Sequence, residues 1–204
     1  MQPDTGPDRS RANTFLLACG IIGSVIFGII NFSFATVTPD YLIIRQPIGD
    51  LELLPNGWIQ SADFILLGLF TWAFAIGLRR ELRGTITAQI LPVLHELTAF
   101  GLLLTGVFIH NPMHIISSVV VFVSMIASVF VFAVVFKANP QWKGWSIYSI
   151  ITAVLMMIFA CLFAHARITG GLYAGLFERM VMIVRGIWLV IFTIRVTAGI
   201  RLTH

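Results

Sequence analysis

The fold of this 204-residue chain turns on Gly106-Val107-Phe108-Ile109-His110-Asn111-Pro112-Met113-His114, which joins two long apolar runs. Asn before Pro is a helix-start signal. The Asn side chain accepts an N–H as N-cap, and Pro, lacking a donor, suits the first helical position. The turn therefore belongs at a membrane face, with the two runs descending from it as a helical hairpin. Outward from it, apolar stretches of roughly 18 residues or more recur along the chain, which is the transmembrane signature. Hydrophobic residues make up 58% of the chain and charged ones 11%, where soluble domains carry about 25% charged. In lipid every backbone polar group needs an internal partner, so an open chain of this kind is helical. The class is all-α: a polytopic membrane protein folded as one six-helix transmembrane bundle.

Spans are expected at residues 14–37, 58–78, 86–109, 112–136, 146–166 and 177–200, between a polar tail at 1–13 and a short one at 201–204. The first run is longer than a signal-peptide core of about 7–15 residues, so it reads as an uncleaved helix. The longest connection, 38–57, carries Leu42-Ile43-Ile44 and the Leu51 to Leu54 cluster. Those clusters predict that it packs back on the bundle or lies in the membrane interface. Net charge is +4, but the basic residues sit in short loops, where they orient a membrane protein; no nucleic-acid partner is expected. Arg9, Arg11, Arg79, Arg80, Arg83, Lys137, Lys143 and Arg201 collect on one side. The other side has Arg45, Arg167 and Arg179 among Asp40, Asp50, Glu52 and Glu178. Both termini are therefore expected in the cytoplasm, the protein in the cytoplasmic (inner) membrane, and the Asn111 turn outside. Cys19 and Cys161 fall in apolar runs near opposite faces, which argues against a disulfide between them, and the sequence has no metal-type Cys spacing.

Three blocks carry a family resemblance. The first is Pro47-Ile48-Gly49-Asp50-Leu51 followed by Pro55-Asn56-Gly57-Trp58. The second is Gly106-Val107-Phe108 with Asn111-Pro112 and His114, and the third is Glu178-Arg179 with Trp188. Together they resemble a family of bacterial six-helix membrane proteins known only as a domain of unknown function. Gly49 stands where that family usually has Ser, and Asn111 where it has Asp. The resemblance implies the six-span topology over nearly the whole chain and supplies no activity.

The polar residues define the candidate site. Spans two, four and six begin at the outer face, where their N-termini offer unpaired N–H groups and a positive dipole end to an anion. Arg167, Arg179 and Arg185 come from the same side; they serve either an anionic head group or interfacial acids and lipid phosphates. Asp63 and Arg185 lie roughly 8–12 Å below the outer edge at about 1.5 Å per residue. Unpaired charge there is costly, so Asp63 is expected to pair with Arg185, joined by Glu178 one heptad before it. His110, His114 and His165 also lie near that face, and with Asp63 they could hold zinc and activate water. Two of the histidines could instead ligate haem. Glu96, deeper toward the other face, reads as an interhelical hydrogen bond or a proton-accessible carboxylate. Ser117, Ser118, Ser124 and Ser128, with Gly20, Gly23 and Gly28, read as helix-contact residues. Trp58, Trp142 and Trp145 read as interfacial belt residues.

The leading reading is a non-catalytic outward-facing pocket for a lipid-like or small anionic ligand, lined by Asp63, His114, His165, Glu178 and Arg185. The alternatives are a metal-dependent hydrolase acting on lipid at the outer leaflet and a small transporter with Asp63 or Glu96 titrating. Membrane lipid is the expected partner, and self-association is left open.

Overall fold

The structure is a computed structural model and describes residues 11–82, 86–109, 111–137 and 140–198. Six helices account for nearly all of them: α1 (Arg11–Val37), α2 (Trp58–Glu81), α3 (Ile86–Val107), α4 (Pro112–Val135), α5 (Trp145–Thr169) and α6 (Ala174–Thr197). All six are long and apolar enough to cross a membrane. Two 3₁₀ turns, Ile48–Leu53 and Pro140–Trp142, complete the regular structure, and no strand occurs among the described residues. The tail expected at 1–13 enters α1 at Arg11, and its remainder, with the 201–204 tail, lies outside the described residues.

Local chemistry sets the helix ends. Asn111 caps α4, its Oδ1 accepting the Met113 N–H at 2.9 Å with Pro112 in the first turn. At the far end of α5, Gly170 takes a left-handed φ of +70° and the Gly171 N–H closes on Ala166 O at 2.8 Å, a backbone conformation that favours glycine.

Each helix packs on its neighbours in the chain, and α6 returns to α1, closing a ring. Small and hydroxyl residues let the α1–α2 and α3–α4 seams approach. A Cβ on Gly23 would sit 2.5 Å from Phe70 Cβ, and one on Gly20 2.8 Å from the Phe74 ring. Across the α3–α4 seam, Thr105 meets Ser117 at 2.9 Å and Thr98 meets Ser124 at 2.7 Å, hydroxyl to hydroxyl. Gly28 differs from the expectation for it: nothing lies within 4 Å of its Cβ position, so it faces open space rather than a helix. Arg79 on α2 forks onto Glu96 on α3, with Nη2 at 2.7 Å from both carboxylate oxygens, so Glu96 serves as an interhelical tie.

The bundle end near the chain termini is closed by aromatics. Phe132 sits edge-on to Trp142, Trp188 and Phe192, with centroids 4.9–5.4 Å away. Trp142 and Trp145 are 1% and 6% exposed, which corrects the belt reading for both. The 140–142 turn folds them under Arg195, whose guanidinium lies 5.4 and 5.0 Å above their rings. Trp58, in contrast, is exposed.

Gly23→Ala should lower the thermal midpoint of the detergent-solubilised protein, because overpacking a filled seam costs about 1–3 kcal/mol. Gly28→Ala should leave it unchanged or raise it, since the added methyl meets nothing and alanine favours helix. Equal midpoints for the two variants would contradict the seam.

Candidate functional site

The 38–57 connection lies over the end of the ring opposite the chain termini. Pro47 precedes the 3₁₀ turn, which sends Ile48 and Leu51 inward until they are buried. Leu51 packs with Phe34, Ala35 and Tyr41, while Ile48 joins the main core. Leu42, Ile44 and Leu53 stay exposed on its other side, so the segment both packs on the bundle and presents apolar side chains outward.

Arg179 of α6 fastens this cap. Its Nη1 donates to Ile43 O at 2.9 Å and Gln46 O at 3.1 Å, and its Nη2 donates to the Tyr41 hydroxyl at 2.8 Å. That hydroxyl donates in turn to Pro47 O at 2.7 Å. The Gly175 and Leu176 N–H groups donate to Arg45 O and Ile44 O, at 3.3 and 2.9 Å. These first N–H groups of α6 are therefore taken by cap carbonyls rather than left free for an anion. Position 175 must be glycine for this approach, because a Cβ would run into Gln46 O and Ile43 O.

Beneath the cap, acids and a histidine converge. Glu178 Oε2 accepts the Ile48 N–H at 2.6 Å. Glu52 accepts from Ser61 Oγ at 2.9 Å, and its Oε2 lies 3.3 Å from His114 Nδ1 without the alignment of a hydrogen bond. Nδ1 also faces Thr105 O at 3.2 Å. A carbonyl only accepts, so Nδ1 carries the ring proton and Nε2 is left toward Gly49, whose Cβ position is 3.0 Å away. Burial pushes the Glu52 carboxyl up to about 7, against the opposing pull of the Ser61 hydrogen bond. Asp50 pairs with Arg167 of α5 at 3.2 Å, with the arginine half exposed.

These groups form the polar end of a cleft of about 830 Å³ between the cap, α4 and α5. Its other walls are apolar: Ile115, Val119 and Phe122 from α4, Phe163 and Ile168 from α5. Phe122 and Phe163 stack at 5.7 Å, joining the two helices.

Of the expected site residues, His114 and Glu178 meet at this cleft, and the others do not join them. His165 is exposed on α5, its backbone carbonyl accepting from Thr169. Asp63 is buried in α2 with neither carboxylate oxygen hydrogen-bonded, and Arg185 is buried in α6 with Nη2 unpartnered. The expected ion pair between them is not formed: α6 starts at Ala174 rather than 177, so Arg185 lies eleven residues into its helix and Asp63 five into α2, a difference in depth of about 9 Å at about 1.5 Å per residue. Glu178 reaches the cap backbone instead of Arg185. His110 lies outside the described residues. Among the described residues no three His, Cys, Asp or Glu side chains gather as metal ligands, so Asp63, His114 and His165 do not form the expected zinc set. Glu52 was missed; its one sequence signal is an acid set within a leucine cluster.

A family model described as a protein of unknown function (DUF998) matches residues 21–195. No curated protein and no solved structure matches the chain.

The raised Glu52 value fixes a pH dependence. The folded state holds this proton more tightly than the unfolded chain does. Its stabilising effect is therefore complete below about pH 4.5 and lost as pH rises to about 7, by about 3 kcal/mol. Glu52→Gln removes that titration. Its thermal midpoint should fall less than the wild type's between pH 5 and 8 and exceed it at pH 8; parallel curves would count against the buried carboxyl.

Proposed function

The chain belongs to the DUF998 family of proteins of unknown function, and from that premise we propose that it is a multi-pass membrane protein that binds a lipid-like amphiphile in the cleft between α4, α5 and the cap. One observation carries this reading: a single cleft has a charged end at Asp50, Glu52, His114, Arg167 and Glu178 and an apolar remainder. Its volume falls within the roughly 300–1,000 Å³ of ordinary ligand sites. Ile115, Val119 and Ile168 are 68%, 55% and 85% exposed, so the apolar end opens on the surface that faces acyl chains. A ligand lying there would keep its tail in lipid and its head under the cap.

The head group follows from the charges. Three carboxyl groups and one guanidinium favour a zwitterionic or hydroxyl-rich head, with an acidic group on Arg167 and donors toward Asp50 and Glu178. A purely anionic head is disfavoured by the same acids. The uneven distribution of lysine and arginine supports a cytoplasmic-membrane location with the cap at the outer leaflet.

Native mass spectrometry of the detergent-purified chain should find a co-purified amphiphile near one per chain. Val119→Trp, at an exposed position, should fill the apolar end and remove most of it without loss of fold. Arg167→Ala should weaken retention of phosphate-bearing species by about tenfold if that contact contributes 1.4 kcal/mol. Equal lipid content in wild type and Val119→Trp would exclude the cleft as the binding site.

A further inference from the structure

A second cavity lies elsewhere in the ring, where α6 returns to α1. It measures about 220 Å³ and shares no polar group with the cleft beneath the cap. Its apolar lining includes Phe27 and Phe32 of α1, Leu67 of α2, and Met182 and Ile183 of α6. Two arginines reach it. Arg179 is already committed to the cap, but Arg185 is not: it is 4% exposed, its Nη2 is buried without a hydrogen bond, and no carboxylate pairs with it among the described residues. Two glycines also border the space, Gly28 and Gly186, and a Cβ on either would meet nothing within 4 Å. Both helices thus present backbone rather than side chain at this border.

We propose that this cavity binds the carboxylate of a single-chain apolar acid, with Arg185 as the pairing cation. A buried guanidinium without a partner is costly, and its planar fork matches a carboxylate in two parallel hydrogen bonds. Apart from Ser24, Asn31 and Arg179, the rest of the lining is apolar and suits methylenes. The rim residues Phe32 and Ile183 are 63% and 52% exposed, so a tail can leave toward the bilayer while its head stays on Arg185. The volume falls below the roughly 300 Å³ at which ordinary ligand pockets begin, which favours one acid head and its first methylenes over a diacyl head group. Asn31 adds an amide at the same wall, held by its Nδ2 donating to Gln60 Oε1 at 2.8 Å. This site stands independently of the amphiphile cleft.

The test is calorimetric titration of laurate into the full chain in phosphatidylcholine nanodiscs, with empty nanodiscs and dodecanol as controls. Laurate should bind saturably and dodecanol should not. Arg185→Gln should weaken binding about tenfold or more, the size of a lost charge-assisted contact. Gly186→Leu fills the cavity with the cation intact and should abolish binding even if Arg185→Gln does not fold. Val119→Trp, which blocks only the other cleft, should leave laurate binding unchanged. Competition by acetate alone would identify a free small carboxylate as the source, with the same dependence on Arg185. Binding that survives both Arg185→Gln and Gly186→Leu, that dodecanol matches, that Val119→Trp removes, or that is absent from the wild type would overturn the proposal.

Discussion

The Arg179 guanidinium is the contact on which the polar architecture of this chain depends. At the mouth of an apolar ring, a connecting segment must satisfy its own carbonyls or leave them costly. One planar cation reaches Ile43 O, Gln46 O and the Tyr41 hydroxyl together, while the start of α6 donates to Arg45 O and Ile44 O. Because the segment is held there, Ile48 and Leu51 turn inward, and Glu52 is carried under the cap to meet Ser61 and His114. The cleft exists because the cap is fastened to α6 on one side and spans the gap between α4 and α5 on the other.

Inside the ring, polar groups divide into those that close seams and those left without partners. Thr105 with Ser117, Thr98 with Ser124, Trp188 with Ser149, and Arg79 with Glu96 each tie adjacent helices. The carboxylate oxygens of Asp63, Nη2 of Arg185 and Nδ1 of His95 are buried without a hydrogen bond, with His95 held edge-on to Phe74 at 5.0 Å. Hydrogen-bonded polar groups in a bundle contribute modestly to stability, whereas unpaired charge works against it. Residues of the second kind are retained at a cost in stability, and in membrane helices such groups usually mark a pathway or a ligand. They sit at different depths, Asp63 near the cap end of α2 and both His95 and Arg185 near the middle of their helices.

How far the residues could be read in advance depended on the range of the interaction. The starts of α2, α3 and α4 at residues 58, 86 and 112 agree with the sequence reading, because a cap such as Asn111 is decided by its immediate neighbours. Ser117 and Ser124 of α4 were legible as contact residues for the same reason, whereas Ser118 bonds back to His114 O and lines the cleft instead. Trp142 and Trp145 were not. A tryptophan in a belt and one folded under Arg195 have the same sequence context, and only the 140–142 turn separates them. Gly28 likewise shares a helix with Gly20 and Gly23, yet faces a cavity rather than a seam.

Composition and periodicity by themselves determined the all-α class, six helices long and apolar enough to cross a membrane, their order and about half of their ends, because apolar run length and backbone hydrogen bonding in lipid leave few alternatives. They did not give the depth of Glu178 and Arg185, because α6 begins at Ala174, three residues before the start its apolar run suggests. The tertiary structure alone decided which of these groups face one another. Azimuth around a ring is set by side-chain packing between helices far apart in sequence, and the route of a loop by contacts it makes only after the ring has closed. That is why His114 and Glu178 share a cleft with Glu52, while Arg185 stands in a cavity of its own.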